Sequence, residues 1–337
     1  MSHPVEPIRL VVAAGTFVDL SDVKSNFEDV AIEELNIGET PDSLAQAVVG
    51  ARGLAVALHP LQREDFEVLK GQIEIIGRAG IGLDSIDLEA ARDAGIAVVH
   101  QPIYATNEVA THAVAMLLAV NRRLAEADRL ARSGWHGRSR LGVIQALDEE
   151  SVGVVGCGRI GRAVIDRLRP FAREIVVYDP FADSFPEGTR PVTDIADLLS
   201  ACRYVTLHLP LNPQTRELIS REAIMTMPAG SVLVNVSRGG LVDETALADA
   251  LKSGHLAGAA LDVMADEPPD ENHPLFSSPN LLLSSHIAWY SSASEQRLKH
   301  QTMSDMVSYL RGRSVIGRLA VDPRTEAMSN GIKAGTK

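Results

Sequence analysis

The sequence predicts an α/β protein of two doubly wound, parallel-sheet domains, the second inserted into a first that is thereby discontinuous. Three observations point there. Short apolar runs alternate with helical patterns from the start of the chain, the rhythm of parallel strands joined by crossovers. The core is fed by aliphatic residues, with aromatics at only 4%, which suits helices on buried parallel strands. A glycine-rich turn begins near residue 156 rather than at the start, so a complete α/β unit precedes it and a single helix is left over after the second series.

In order, 8–13, 54–58, 73–77 and 97–100 read as strands. Helical segments lie between them at 41–51, 62–70 and 89–94, the last closed by Gly95. Pro102 marks a change, and 107–131 then reads as one long helix. The loop 133–147, with Gly134, Trp135 and Gly137, leads into a second β-α-β series from Ser151 to about His286. A long helix at 291–310 is expected to pack back on the first unit. The expected domains are therefore 1–102 with 288–322, and 103–287, followed by a flexible tail at 323–337.

Composition narrows the functions. With 45% hydrophobic and 23% charged residues, the 337-residue chain has the balance of a globular protein. Its net charge of −12 repels a polyphosphate backbone, so no nucleic acid partner is expected. Two cysteines, Cys157 and Cys202, make neither a disulfide framework nor a zinc site with cysteine ligands, and no metal is expected. The stretch 109–120 is too short to cross a bilayer. Residues 1–8 lack the apolar run of a signal peptide, so a cytoplasmic protein without a membrane partner is expected.

The strand-like 151–155 runs into Gly156-Cys-Gly158-Arg159-Ile160-Gly161. The first glycine makes the turn and the second lets backbone approach a pyrophosphate. The third admits close helix–strand packing, with the helix N-terminus facing the negative charge. The next strand, 174–178, ends at Asp179, eighteen positions beyond Gly161, where a carboxylate can accept both ribose hydroxyls. It would repel a 2′-phosphate, and no arginine follows directly, so NAD is expected over NADP in a Rossmann domain. Cys157 reads as a small filler.

Further on, an apolar strand at 232–236 ends at Ser237, Arg238 and two glycines. A guanidinium at a strand's carboxyl end suits the carboxylate and carbonyl of a 2-oxo acid. The strand 259–263 carries Asp262 at its end, with Asp266 and Glu267 following, and 281–285 ends at His286. Hydride transfer to a ketone needs a proton donor, which histidine supplies near neutral pH. Glu267 is the carboxylate placed to fix its tautomer. A short-chain dehydrogenase is excluded, since none of the five tyrosines has lysine four places on.

At this point the sequence resembles the D-isomer-specific 2-hydroxyacid dehydrogenases over nearly its whole length. The resemblance is carried by Arg78-Ala-Gly-Ile-Gly-Leu-Asp-Ser-Ile-Asp87, the glycine loop, Asn235-Val-Ser-Arg-Gly-Gly240, Leu261-Asp-Val with Glu267-Pro, and the His286 segment. It implies a flavodoxin-like substrate domain around the inserted one. It also implies that Arg238 binds the substrate's carboxylate and oxo group, that His286 is the acid/base and that Glu267 orients it. Asp262 would hold the nicotinamide carboxamide, and the coenzyme set would include Arg159, Ile160, His208, Leu209, Thr215, Val236, Ser237, Arg238 and His286. Arg78, Ala79 and Gly80 would serve the substrate, the backbone of the last two meeting its carboxylate across an interdomain cleft. A homodimer through the coenzyme domains is implied, with the helix near Asn107 involved. Glutamate rather than glutamine at 267 argues against a formate dehydrogenase. The segment His286-Ile-Ala-Trp-Tyr-Ser291 is similar to the C-terminal-binding-protein group, whereas Arg78-Ala-Gly-Ile-Gly82 is similar to phosphoglycerate dehydrogenase. Trp289 reads equally as a pocket wall against an apolar substrate side chain and as core or interface packing, and which small 2-oxo or 2-hydroxy acid is the substrate stays open, 3-phosphoglycerate included. The alternative, from another class, is an NAD(H)-sensing corepressor-like scaffold.

Overall fold

The computed structural model describes residues 8–27 and 29–325. Most of the expected tail, from 326 on, lies outside the described residues, as do residues 1–7 of the N-terminal segment. The chain divides into two compact units, one running up to Tyr104 and again from Ser291, the other spanning Ala105–Tyr290. Ala288, Trp289 and Tyr290 thus belong to the second unit.

In the first unit, β1 (Ile8–Ala13), β2 (Val30–Leu35), β3 (Gly53–Val56), β4 (Ile75–Arg78) and β5 (Ala97–His100) form a parallel sheet in the order β2-β1-β3-β4-β5. That is the flavodoxin-like order. The crossovers carry α1 (Ser21–Asn26), α2 (Pro41–Ala47), α3 (Arg63–Leu69) and α4 (Leu88–Ala94). Thr40 and Asp87 cap α2 and α4, and Gly95, at φ 73°, ends α4 in the left-handed region. Val11, Leu54, Ile76 and Val98 pack with Leu44, Phe66, Leu69 and Ala90 in one buried cluster.

The sequence pattern over 107–131 predicts one helix, and the structure shows two. After α5 (Thr106–Asn121) the backbone turns at Arg123, whose φ of 50° is left-handed, and α6 (Leu124–Arg132) restarts in a new direction. Neither glycine nor proline marks the break, which is why hydrophobic periodicity ran through it. A short helix, α7 (Arg138–Leu141), follows.

The second sheet is parallel throughout. It contains β6 (Ser151–Val155), β7 (Glu174–Tyr178), β8 (Arg190–Val192), β9 (Tyr204–Leu207), β10 (Ser231–Asn235), β11 (Leu256–Leu261) and β12 (Leu281–Leu283), in the order β8-β7-β6-β9-β10-β11-β12. The first six reproduce the Rossmann order, with its switch point between β6 and β9. The helices are α8 (Arg159–Leu168), α9 (Ile195–Ala201), α10 (Arg221–Thr226) and α11 (Glu244–Ser253).

The chain then returns to the first unit. Ser291 caps α12 (Ser292–Leu310) in a reciprocal arrangement with Ser294, and α12 lies against β3, β4 and β5. Two strand glycines make room for it: a Cβ at Gly77 would fall 2.3 Å from Met306 Sδ, and one at Gly53 would fall 2.8 Å from Met306 Cε. Finally β13 (Arg318–Val321) adds to β5 antiparallel, an edge the sequence pattern does not announce. Strand β2 also escapes the pattern, because Glu33 and Glu34 interrupt its alternation at a solvated edge. Among the described residues no helix is long and apolar enough to cross a membrane.

Candidate active site

Because all seven strands of the second sheet run the same way, their carboxyl ends share one edge, and the predicted groups fall there in strand order. Gly156, after β6, has φ 98°, and a Cβ on it would strike His208 O at 2.3 Å. A Cβ on Gly161 would lie 2.0 Å from Gly156 O, so the first turn of α8 is pressed onto the loop. Gly158 differs: its φ is ordinary, −73°, and nothing lies within 4 Å of where a Cβ would be. It precedes α8, whose N-terminus has no side-chain cap. Open space before an uncapped helix N-terminus is where a pyrophosphate fits. Arg159 is exposed and Ile160 half-buried on that first turn.

Asp179 follows β7. One carboxylate oxygen accepts from Cys157 N (2.7 Å) and the other from Phe181 N (2.9 Å), which fixes the carboxylate and leaves each oxygen further acceptor capacity. Past β9, His208 is buried and its Nε2 lies 2.9 Å from Thr206 Oγ1, while Nδ1 has no partner. Burial pushes this imidazole down to about 3, so it is neutral. Leu209 is half-buried. Thr215 Oγ1 donates to Pro210 O (2.7 Å) and accepts from Asn212 N (2.9 Å), holding that loop closed.

Past β10, Asn235 shapes the turn that carries the arginine. Its Oδ1 accepts from Ser237 N (3.0 Å) and its Nδ2 donates to Arg238 O (2.7 Å). Val236 is buried, and Ser237 Oγ donates to Leu207 O (2.7 Å). Arg238 is half-buried, and its Nη1 donates to Ser237 O at 2.7 Å. His286 Nδ1 lies 2.6 Å from Glu267 Oε2, and Glu267 Oε1 accepts from Met264 N at 3.0 Å. Burial raises the Glu267 carboxyl, but the His286 hydrogen bond and charge, Met264 N–H and Arg238 outweigh it and hold the group below its usual range. It is therefore an anion at neutral pH, an acceptor that keeps a proton on Nδ1 and leaves Nε2 for exchange.

Asp262 is only 1% exposed. Its carboxylate accepts from Ser284 Oγ (2.5 Å), Ile287 N (3.0 Å) and Ala288 N (2.9 Å), so in this structure it braces the His286 segment. Ser284 Oγ is also 3.0 Å from His112 Nε2 on α5. Sequence reasoning singled out neither Ser284 nor His112, since nothing local ties positions so far apart. Trp289 is half-buried and meets Tyr290 edge-on, with centroids 5.6 Å apart.

In the first unit, Arg78 ends β4, Ala79 and Gly80 follow it, and all three are buried. The structure does not present the last two as open donors. Ala79 N donates to Val56 O (2.8 Å) and Gly80 N to Arg78 O (2.9 Å), and the Arg78 guanidinium donates to Ala79 O.

Sheet order, glycine turn and strand-end acid define a dinucleotide-binding α/β protein with a histidine–carboxylate pair at its carboxyl edge. The family described as D-isomer specific 2-hydroxyacid dehydrogenase, NAD binding domain, matches residues 114–288, and the chain belongs to the D-isomer-specific 2-hydroxyacid dehydrogenases. It is 38% identical over 264 residues to the D-3-phosphoglycerate dehydrogenase of Methanocaldococcus jannaschii, covering 77% of this chain and 50% of that one. To the Mycobacterium leprae enzyme of the same name it is 36% identical, covering 77% and 49%. The chain thus spans about half the length of these curated relatives. Among solved structures, the TT0316 protein from Thermus thermophilus superposes with a TM-score of 0.84 at 33% identity, covering 93% of this chain and 100% of that one. D-lactate dehydrogenase from Aquifex aeolicus, complexed with NAD and lactic acid, gives 0.81 at 25% identity, covering 90% and 96%. These relatives lend no support to the corepressor-like alternative.

Proposed function

We propose that this chain catalyses reversible hydride transfer between NAD(H) and a small 2-oxo or 2-hydroxy acid. The observation that carries the reading is the 2.6 Å contact between His286 Nδ1 and Glu267 Oε2, at the edge where the glycine turn and Asp179 also lie. The open space at Gly158, the uncapped α8 and the fixed Asp179 carboxylate suit a dinucleotide whose 2′-hydroxyl is free, so NAD is preferred to NADP. Bound there, the nicotinamide supplies or accepts the hydride. Arg238 pairs with the substrate's carboxylate and polarises its oxo oxygen. His286 gives a proton from Nε2 to that oxygen and takes it back in the reverse direction. Glu267 holds the ring's tautomer. Arg78, Ala79 and Gly80 enter as the substrate-carboxylate segment of the first unit, a role in which the Ala79 and Gly80 amides exchange internal partners for substrate. The working form is taken as a homodimer through the second unit. Trp135, Val143 and Leu124 support this, standing 86%, 77% and 55% exposed, Leu124 on α6, Trp135 in the loop after it and Val143 just beyond α7.

The test is NADH oxidation against a panel of 2-oxo acids. The panel sets 3-phosphohydroxypyruvate, the oxo form the relatives' name suggests, against unphosphorylated acids, which Trp289 favours. His286→Ala should lower turnover by about two to four orders of magnitude while NADH still binds. Turnover near wild type would remove His286 from the reaction.

A further inference from the structure

Behind the His286–Glu267 pair lies a second polar set, centred on Asp262. His286 itself has φ 55°, a left-handed conformation that a residue with a Cβ holds only when its surroundings impose it. Three backbone amides of this segment donate to a single residue. His286 N donates to Asp262 O (2.7 Å), Ile287 N to Asp262 Oδ1 (3.0 Å) and Ala288 N to Asp262 Oδ2 (2.9 Å). Asp262, at 1% exposure, has no access to bulk water and takes its orientation from its protein partners.

The direction of the remaining bonds follows from counting protons. Ser284 Oγ is 2.5 Å from Asp262 Oδ1, and a carboxylate oxygen only accepts, so the serine's one proton goes there. The 3.0 Å contact between Ser284 Oγ and His112 Nε2 therefore runs from an Nε2–H into the serine oxygen. His112 Nε2 also stands 3.7 Å from Asp262 Oδ1. His112 thus donates to Ser284 and Ser284 to the Asp262 carboxylate, which also accepts the two amides that follow His286. Its outer member, His112, keeps 26% of its side chain exposed.

We propose that His112 and Ser284 are positioning residues for His286. They fix the Asp262 carboxylate in the one orientation that accepts both following amides, and so keep the imidazole against Glu267. Without the serine proton Oδ1 keeps the Ile287 amide as its one hydrogen-bonded donor, and the left-handed turn is braced less firmly. This inference rests on the reading of His286 as the acid/base.

The experiment uses the full chain with Ser284→Ala, His112→Phe and His112→Gln, the last of which keeps an N–H donor. In NADH-dependent reduction of the best acid of the panel, kcat should fall about ten- to a hundredfold in Ser284→Ala and His112→Phe. The KM for the acid should stay within about threefold, and His112→Gln should regain most of kcat. Amide hydrogen exchange at Ile287 and Ala288 should quicken in the first two variants, a readout independent of turnover. Wild-type kcat in Ser284→Ala, unchanged exchange at both amides, or equal losses in the Phe and Gln variants would each overturn the proposal. If His286→Ala abolishes turnover and Ser284→Ala does not, the relay alone fails. If no acid is turned over by wild type, the dehydrogenase reading fails and the exchange rates still decide whether the brace exists.

Discussion

At the scale of single residues, Glu267 connects the geometry to pH. A carboxyl held below its usual range in the fold contributes stability that is present above its unfolded value and lost as pH falls through the folded one. Glu267→Gln keeps the shape and an acceptor for Met264 N but removes the charge. Its thermal midpoint should lie below wild type by the most at neutral pH, with the gap closing below about pH 4; a gap independent of pH would place its origin elsewhere. Asp179→Ala should weaken NADH binding and narrow the preference over NADPH, read from KM ratios; an unchanged ratio would remove Asp179 from coenzyme selection. Arg238, Glu267 and His286 were legible as candidates because each follows a strand, and parallel strands deliver their ends to one edge. Asp262 was legible as a residue but not in what it touches. Its partners Ser284 and His112 depend on the path of the loop after β12 and on how α5 lies against it, which local sequence does not encode.

At the scale of elements, the glycine turn separates folding from binding. Gly161→Ala must push a Cβ into a backbone oxygen 2.0 Å away, which should cost about 1–3 kcal/mol of stability as well as coenzyme affinity. Gly158→Ala meets nothing within 4 Å at an ordinary φ. Its denaturation midpoint should match wild type while NADH binding, followed by fluorescence, weakens at least tenfold, about 1.4 kcal/mol. Undiminished binding would show that the pyrophosphate does not rest there. Asp305 anchors a different element: at 1% exposure it accepts from Gln101 Nε2 (2.9 Å), Ile316 N (2.6 Å) and Gly317 N (2.8 Å), just before β13. Asp305→Ala strands three donors and should destabilise the first unit by about 2–4 kcal/mol in urea unfolding. The interior strands were readable as apolar runs. The edges β2 and β13 were not, since an edge strand has one partner and tolerates charge, and the left-handed Arg123 carries no residue-type signal.

At the scale of the whole molecule, the insertion could be read from arithmetic alone: the glycine turn sits mid-chain and one long helix is left over. The second unit is continuous and has its own buried cluster, from Val155 and Val176 through Leu233 to Leu275. Residues 105–290 expressed alone should therefore unfold cooperatively and bind NADH within about tenfold of the full chain. Residues 1–104 alone should not fold, because the face cut back at Gly53 and Gly77 for Met306 would stand open. The same arrangement sets a schedule at the ribosome. With synthesis at about 5–20 residues per second, β1–β5 would wait roughly ten to forty seconds for α12 to emerge, while the inserted unit is completed in between. Stalled nascent chains ending before Ser291 should be cut readily by protease within their first hundred or so residues and resist it beyond, a window in which a chaperone would find its binding site.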